Sequence, residues 1–530
     1  MGLYLNPNAD AFQKSLNNKI YIDKSLVLAE LNDLVNTDQG FVCMSRPRRF
    51  GKSLVGNLIS AYYSKGCDTR SIFSQMKIEQ TPDYDKYLNK LNVIKLDLNE
   101  WYQNAKKKGQ HTCLINKIDE SVAEEFREQF SNIPFSEDDN SIDKCILKVY
   151  KLTGEKFVII IDEYDVLVRE NVQQELFGNY LSFLNGLFKG TTIRPAIALA
   201  YITGIMPIVR DKVQSKLNEF SEYTMLRPAQ FAGMIGFTEE EVKGLCEKYS
   251  VDYDECLRWY DGYKMSDTVK VCNPLSVVNA VTRGEFDSYW SATGSFEALR
   301  DYILMDFEGI RQDVVSMISG ASVPVNVLKF QNTLDSINSK DNAFTYLIHL
   351  GYLAYNRKEK TCHIPNEEVR IEWINSIEDS SDYTQVMKVI NASKRLLDDT
   401  INGNEEAVAR ALDAAHTEVT NPLTYNDEHC FQSAICLAYF YANTRYTLIK
   451  ELPTGKGYAD LVLVPYLPNI PAMVVELKHN KSTESALGQI KAKNYHEALN
   501  LYYDNLLFVG INYDEKTKEH TCKIDRFVKE

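Results

Sequence analysis

One stretch near the N-terminus narrows the folding options more than any other. Phe41-Val42-Cys43-Met44 runs into Ser45-Arg46-Pro47-Arg48-Arg49-Phe50-Gly51-Lys52-Ser53, and Leu54, Leu58, Ile59 and Tyr62 follow at helical spacing. The order is strand, tight glycine-containing loop, helix. A helix that opens on Lys-Ser after such a loop offers backbone N–H groups and the positive end of its dipole to anionic oxygens. In that cradle Lys52 reaches outer phosphates and Ser53 offers a hydroxyl to Mg²⁺, with Arg48, Arg49, Phe50 and Gly51 completing the nucleotide-binding loop. The pattern G-x-x-x-x-G-K-[ST] differs here at one position, where Arg46 replaces the first glycine. A chance Gly-Lys-Ser on a surface turn is the competing reading, and the element order favours the phosphate loop. Arg46, Arg48, Arg49 and Arg210 are all candidate phosphate contacts, and the sequence does not sort them.

A second stretch supplies what a phosphate loop needs. Phe157-Val158-Ile159-Ile160-Ile161-Asp162-Glu163-Tyr164-Asp165 is a β-branched run ending in acids, the signature of a central parallel strand buried on both faces. Ligand chemistry in α/β sheets gathers at such carboxyl ends. Asp162 is placed to hold Mg²⁺, and Glu163 to polarise an attacking water. Read alone, the acids equally mark the solvated end of a strand. A further apolar run over 196–202 ends at Thr203-Gly204, where Thr203 can contact a terminal phosphate or the attacking water. Another strand is expected over 93–98, with a polar helical region over 113–150 between it and the acidic strand.

The chain continues well past one core. With 530 residues it suggests about three domains of ordinary size. Its net charge of −14 argues against a broad nucleic-acid surface but leaves room for a local, metal-assisted cleft. The eleven cysteines form no C-x-x-C pair, which favours reduced thiols. No stretch reads as a membrane span or a signal peptide, so a cytoplasmic protein with no membrane partner is expected. Residues 231–300 read as short helices in the position of a lid, with aromatic clusters that suit packing. Around 343–366, a helix, a β-hairpin with the basic turn Arg357-Lys358-Glu359-Lys360 and a further helix outline a winged-helix-like unit, serving either as a DNA binder or, preferably, a connector. Residues 380–420 read as a helical spacer broken at Asn402-Gly403-Asn404.

The last hundred residues have their own order: a helix over 427–441, strands over 446–451, 458–464 and 473–478, a helix over 483–499 and a strand over 506–510. Period-two geometry puts Asp460 on the face of Val462 and Val464, and Glu476 with Lys478 on one face of the neighbouring strand. Charges embedded in apolar strands need mutual or metal partners. Two carboxylates can hold Mg²⁺, which acidifies a bound water, while Lys478 stabilises charge developing on a phosphate. That is the chemistry of metal-dependent phosphodiester hydrolysis; a salt-bridged edge hairpin with a solvated face is the alternative.

Taken together, Tyr21-Ile22-Asp23-Lys24, the string from Ser45 through Ser53, Ile161-Asp162-Glu163-Tyr164-Asp165 and Thr203-Gly204 resemble the bacterial AAA-ATPase-like family. Ser215-Lys216-Leu217-Asn218, Gly236-Phe237-Thr238-Glu239-Glu240-Glu241-Val242, Trp259-Tyr260-Asp261-Gly262-Tyr263, Asn273-Pro274-Leu275-Ser276 and Tyr289-Trp290 extend the likeness over roughly residues 4–295. The resemblance implies a P-loop NTPase parallel sheet flanked by helices, the strand over 93–98 next to the acidic one, and Arg46 as a family trait. Asp460…Glu476-x-Lys478 resembles the PD-(D/E)XK nuclease superfamily, with Ala459 in place of the proline. That likeness adds Glu428 as an extra acid and metal ligand, and Gln489 and Tyr495 as polar positions of the following helix.

The expected architecture is α/β: an ATPase domain over 1–230, a helical lid over 231–300, a winged-helix-like connector over 301–380, a spacer over 381–424 and a small nuclease-like domain over 425–530. The expected function is ATP binding and hydrolysis with Mg²⁺, coupled to cleavage of DNA or RNA. Catalytic roles fall to Glu163, Asp460, Glu476 and Lys478; metal ligation falls to Ser53, Asp162, Glu428, Asp460 and Glu476. A homo-oligomer is compatible with this reading. The alternative is a nucleotide-switched interaction protein with little turnover and a non-catalytic nuclease-like fold.

Overall fold

The computed structural model describes residues 2–170, 172–208, 217–290, 307, 309–318, 320–330, 337–378, 384–419, 432, 435, 438, 439, 441, 442, 445–453, 458–466, 470–492, 499, 502 and 505–527. Contacts divide the chain into two compact units, 1–310 with 322–371, and 311–321 with 372–530. Among the described residues no helix is long and apolar enough to cross a membrane.

The first unit is built on a five-stranded parallel sheet in the order β2-β3-β4-β1-β5. Its strands are β1 (Phe41–Ser45), β2 (Asn92–Asp97), β3 (Phe157–Asp162), β4 (Ile197–Gly204) and β5 (Ser221–Tyr223). The acidic strand β3 pairs with β2 on one side and β4 on the other, so β4 separates it from the loop strand β1. Every residue of β3 is buried. Phe157, Ile159 and Ile161 join a core with the helices Leu114–Gln129, Ile142–Thr153 and Gln174–Phe188. On the opposite face, a Cβ on Gly56 of the helix Lys52–Tyr63 would stand 3.9 Å from Ile160 Cγ2. Covering both faces is what the unbroken apolar run requires.

The stretch from 237 to 283 holds the helices Glu239–Tyr249, Tyr253–Tyr260 and Pro274–Arg283. It also contains a small antiparallel sheet, β6 (Phe237–Thr238), β7 (Tyr263–Lys264) and β8 (Lys270–Cys272), which its two- and three-residue strands hid from periodicity. Beyond it, β9 (Val323–Pro324), the helix Lys340–Leu350, β10 (Ala354–Asn356), β11 (Thr361–His363) and the helix Glu367–Glu378 follow, with the strands in the order β10-β11-β9. The basic turn is engaged within its own unit: Arg357 donates to the Leu226 carbonyl, and Lys358 lies 3.4 Å from Asp267. Buried Glu368 accepts the Ser276 hydroxyl and the Tyr289 and Trp290 amides at 2.8 Å each. Tyr263 donates to the Gly351 carbonyl at 2.7 Å.

The second unit carries a five-stranded sheet in sequential order: β12 (Tyr446–Pro453), β13 (Tyr458–Pro465), β14 (Ala472–His479), β15 (Leu506–Asp514) and β16 (Glu519–Arg526). Only β14 and β15 run parallel, joined across the helix Thr483–Ala492. Leu461, Leu463, Met473, Val475 and Val509 pack with Leu396 and Leu397 from the helix Thr384–Ile401 and with Val408 and Leu412 from the helix Glu405–Val419. The stretch read as a spacer thus supplies part of this core. Strand β16 escaped the sequence reading because Glu-His-Thr-Cys-Lys-Ile-Asp-Arg is an edge strand with alternate positions exposed and almost no apolar run.

Candidate functional site

The phosphate loop leaves β1 at Ser45 and bends through Arg49 (φ 67°) and Gly51 (φ 96°) before the helix begins at Lys52. Gly51 takes a conformation that side chains avoid. Arg48 and Arg49 are exposed, whereas Arg46 has no solvent exposure at all. The Arg46 guanidinium donates to the carbonyls of Ser45 (2.8 Å), Tyr223 (3.0 Å) and Phe231 (3.3 Å), tying β1 to β5 and to the 3₁₀ turn Ala229–Phe231. Burial pushes it down to about 10. Arg46 is therefore a tie inside the fold, and the phosphate-contact candidates narrow to Arg48 and Arg49; Arg210 lies outside the described residues.

Lys52 is buried, and its ammonium caps the Arg46 and Pro47 carbonyls, both at 2.9 Å. Burial pushes it down to about 8, opposed by the charge of Asp162. Asp162 at the end of β3 accepts the Glu163 amide (3.0 Å) and the Thr203 hydroxyl (3.4 Å) and hydrogen-bonds Ser53. Burial pushes the Asp162 carboxyl up, and Ser53 counters it. Strand order alone explains the convergence, since β3, β4 and β1 deliver Asp162, Thr203 and the loop to one edge. The Ser53 hydroxyl and the Asp162 carboxylate form a hard-oxygen pair suited to Mg²⁺.

Glu163, at φ 51°, turns its carboxylate onto Arg169 (2.7 Å). Asp165, 1% exposed, accepts the Ile205 and Met206 amides at 3.0 and 2.8 Å and lies 3.2 Å from Arg169. A Cβ on Gly204 would meet Asp165 Oδ1 at 2.7 Å, so this crossing is closed to larger residues. Sequence reasoning quoted Asp165 without a role and passed over Arg169; the signal was their i, i+4 spacing.

These residues surround a cavity of about 1090 Å³ lined by the loop from Arg48, by Glu163 and Arg169, and by two apolar walls. One wall is Ile20, Tyr21 and Ile22; the other includes Met234, Ile235, Phe237, Leu275 and Val278. Lys24 pins the walls together through Glu241 (2.6 Å) and the Gly233 carbonyl (2.9 Å). Phe50, which also lines the cavity, packs its ring edge-on to Tyr263, with centroids 5.3 Å apart. Asp162 and Thr203 are buried at 3% and 0% exposure, beneath the lining rather than on it.

In the second unit, Val462 and Val474 share one core cluster, which places Asp460, Glu476 and Lys478 at the end of that face. Asp460 accepts the Leu477 amide at 2.7 Å. Glu476 is fully buried and receives Lys478 (2.9 Å) and the Gln489 amide; Lys478 also donates to Gln489 at 2.9 Å. Gln489 thus contacts two of the three signature residues, Glu476 and Lys478. Glu428 and Tyr495 lie outside the described residues. Among the described residues no group of three or more His, Cys, Asp or Glu forms a metal cluster. The two carboxylates are nevertheless oxygen donors of the kind Mg²⁺ takes.

Comparison with known proteins follows the same division. A protein of the vnfD 5′ region of Azotobacter chroococcum mcd 1, itself uncharacterized, is 24% identical over 290 residues, covering 53% of this chain and 52% of the relative. The chain thus spans about half the length of that curated relative. Among solved structures, the Aeropyrum pernix ORC2 protein in ADPNP–ADP complexes covers 68% of this chain and 96% of its own, at 10% identity and a TM-score of 0.29. The Aeropyrum pernix ORC1 protein in complex with DNA covers 72% and 98%, at 12% identity and a TM-score of 0.27. Those scores are too low to bear on this fold. Residues 10–214 match the predicted AAA-ATPase family, and residues 426–522 match the PD-(D/E)XK nuclease superfamily.

Proposed function

We propose that the first unit binds and hydrolyses ATP and that the second cleaves phosphodiester bonds of nucleic acid, the nucleotide state controlling cleavage. The observation that carries the reading is the gathering of Lys52, Ser53, Asp162, Glu163 and Thr203 at one sheet edge beside a nucleotide-sized cavity. The loop amides and Lys52 bind the phosphates once the lysine exchanges its two carbonyl partners for phosphate oxygens. The apolar walls suit a nucleobase. Glu163 takes a proton from the water whose oxygen bonds to the γ-phosphorus as the bond from phosphorus to the β–γ bridging oxygen breaks. Thr203 orients Asp162. Ser53 and Asp162 are the residues that would hold Mg²⁺, which would supply neutralisation of phosphate charge.

In the second unit Asp460 and Glu476 are the residues that would hold Mg²⁺, which would supply an acidified water. Lys478 meets the negative charge that builds on the phosphate as water adds and the ester oxygen leaves with a proton. Gln489 keeps Lys478 and Glu476 in register through its amide. The test is cleavage of single- and double-stranded DNA and RNA by wild type, Lys52→Ala, Asp460→Ala and Lys478→Ala, with and without ATP and Mg²⁺. Cleavage that survives Asp460→Ala and Lys478→Ala removes the nuclease assignment; ATP binding unchanged in Lys52→Ala removes the phosphate-loop role.

The second reading, a nucleotide-switched interaction protein, draws support from two contacts. Glu163 is engaged by Arg169, and Glu476 is engaged by Lys478 and Gln489. Tight ATP binding without phosphate release, and no metal-dependent cleavage of any substrate, would favour it.

A further inference from the structure

Arg169 ends the short helix Val166–Arg169, and its side chain is 10% exposed on the cavity wall that also carries Glu163 and Lys52. It has two anionic partners of different kinds. Asp165 is buried and already fixed by the Ile205 and Met206 amides. Glu163 is 31% exposed, holds a strained left-handed backbone, and meets Arg169 through a single 2.7 Å contact. Desolvation pulls the guanidinium down, but Asp165 and Glu163 outweigh it and hold it above its ordinary value. Its charge also pushes down Lys52, which lines the same cavity.

We propose that Arg169 senses the third phosphate of ATP by exchanging Glu163 for it. This rests on the nucleotide reading above and assigns it a residue and a sequence of contacts. A planar guanidinium matches phosphate oxygens as well as it matches a carboxylate. Arg169 keeps its fixed partner, Asp165, and swings its outer nitrogens from Glu163 to the γ-phosphate. ADP offers no such group, so Arg169 stays on Glu163. The exchange has one consequence for the chemistry. It frees the Glu163 carboxylate to accept a proton from water only when a hydrolysable phosphate is present.

The test uses the full chain, titrated with fluorescent ADP and a fluorescent non-hydrolysable triphosphate analogue. Wild type is compared with Glu163→Gln, Arg169→Ala, Arg169→Lys and the double variant Arg169→Ala/Glu163→Gln, with melting curves for each. Glu163→Gln removes the competing charge and should tighten the analogue about 5- to 10-fold, a usual coupling strength, without changing ADP. The double variant should lose that gain. Arg169→Ala should weaken the analogue and spare ADP, and Arg169→Lys should keep part of the preference. Equal analogue affinity in Glu163→Gln and the double variant overturns the exchange, as does an Arg169→Ala variant that weakens ADP and analogue alike. Glu163→Gln leaves Arg169 and its Asp165 anchor in place, so it decides the matter even where Arg169→Ala melts early. Binding of neither nucleotide by folded wild type overturns the exchange together with the nucleotide reading; binding without the Glu163→Gln gain overturns the exchange alone.

Discussion

Replacing Arg46 by glycine rebuilds the standard phosphate-loop pattern, and the structure predicts that doing so damages the protein. The side chain has 0% exposure and donates three hydrogen bonds to main-chain carbonyls. Hydrogen bonds from charged donors contribute about 1.5–3 kcal/mol each, or about 4–9 kcal/mol for three. Against this stands the burial penalty, which pushes the guanidinium down to about 10. At 1.36 kcal/mol per unit, removing the cation recovers about 3 kcal/mol. The net loss for Arg46→Gly is about 1–6 kcal/mol, centred near 3. For a unit of roughly 360 residues, 3 kcal/mol lowers the melting temperature by about 4 °C. Thermal unfolding followed by fluorescence, without nucleotide, measures the shift. Arg46→Met separates the two contributions, since it keeps the volume and removes the donors. Arg48→Ala and Arg49→Ala, both at exposed positions, should leave the melt unchanged and weaken ATP binding. An Arg46→Gly protein that melts with wild type, or binds ATP more tightly, would refute the reasoning.

Other outcomes follow from the same contacts. Because Lys52 loses its proton near pH 8 in the free protein and gains phosphate charge on binding, nucleotide affinity should fall as pH rises above about 8, by up to about tenfold per unit; titration calorimetry from pH 7 to 9.5 reads it, and a flat profile that Lys52→Arg leaves unchanged counts against the role. For folding the sign is opposite: burying protonated Lys52 opposes the fold below pH 8, and that penalty fades between pH 8 and the ordinary lysine value of 10.5. Gly351→Ala places a methyl 2.8 Å from two Pro47 side-chain carbons at φ 89°, and should cost about 1–3 kcal/mol while weakening ATP binding, because Pro47 belongs to the phosphate loop. Lys478→Met strips a cation from fully buried Glu476, and should destabilise the second unit by about 3–5 kcal/mol in denaturant melts and abolish metal-dependent cleavage; Lys478→Met/Glu476→Leu should recover much of the stability but no cleavage.

Elements that depend on local residue pattern were legible before any fold was known. The unbroken Phe157-to-Ile161 run favours a strand covered on both faces, and Gly51-Lys52-Ser53 between an apolar run and a helical pattern favours a loop opening a helix, because burial and backbone freedom are properties of the residues concerned. Asp460, Glu476 and Lys478 were legible for the same reason: charges interrupting apolar alternation declare themselves. Which partner each charge takes emerged from the folded chain alone. Arg46 reads in the string as one phosphate-facing arginine among three, yet its guanidinium turns to carbonyls of Tyr223 and Phe231, some 180 positions downstream. Arg169 carries no motif at all, and its weight comes from standing between Glu163 and Asp165 on a cavity wall. Lys24, next to the apolar wall of Ile20 to Ile22, pairs with Glu241, more than 200 residues away. An ion pair's strength depends on distance and burial, and neither quantity exists until strands distant in sequence are brought together.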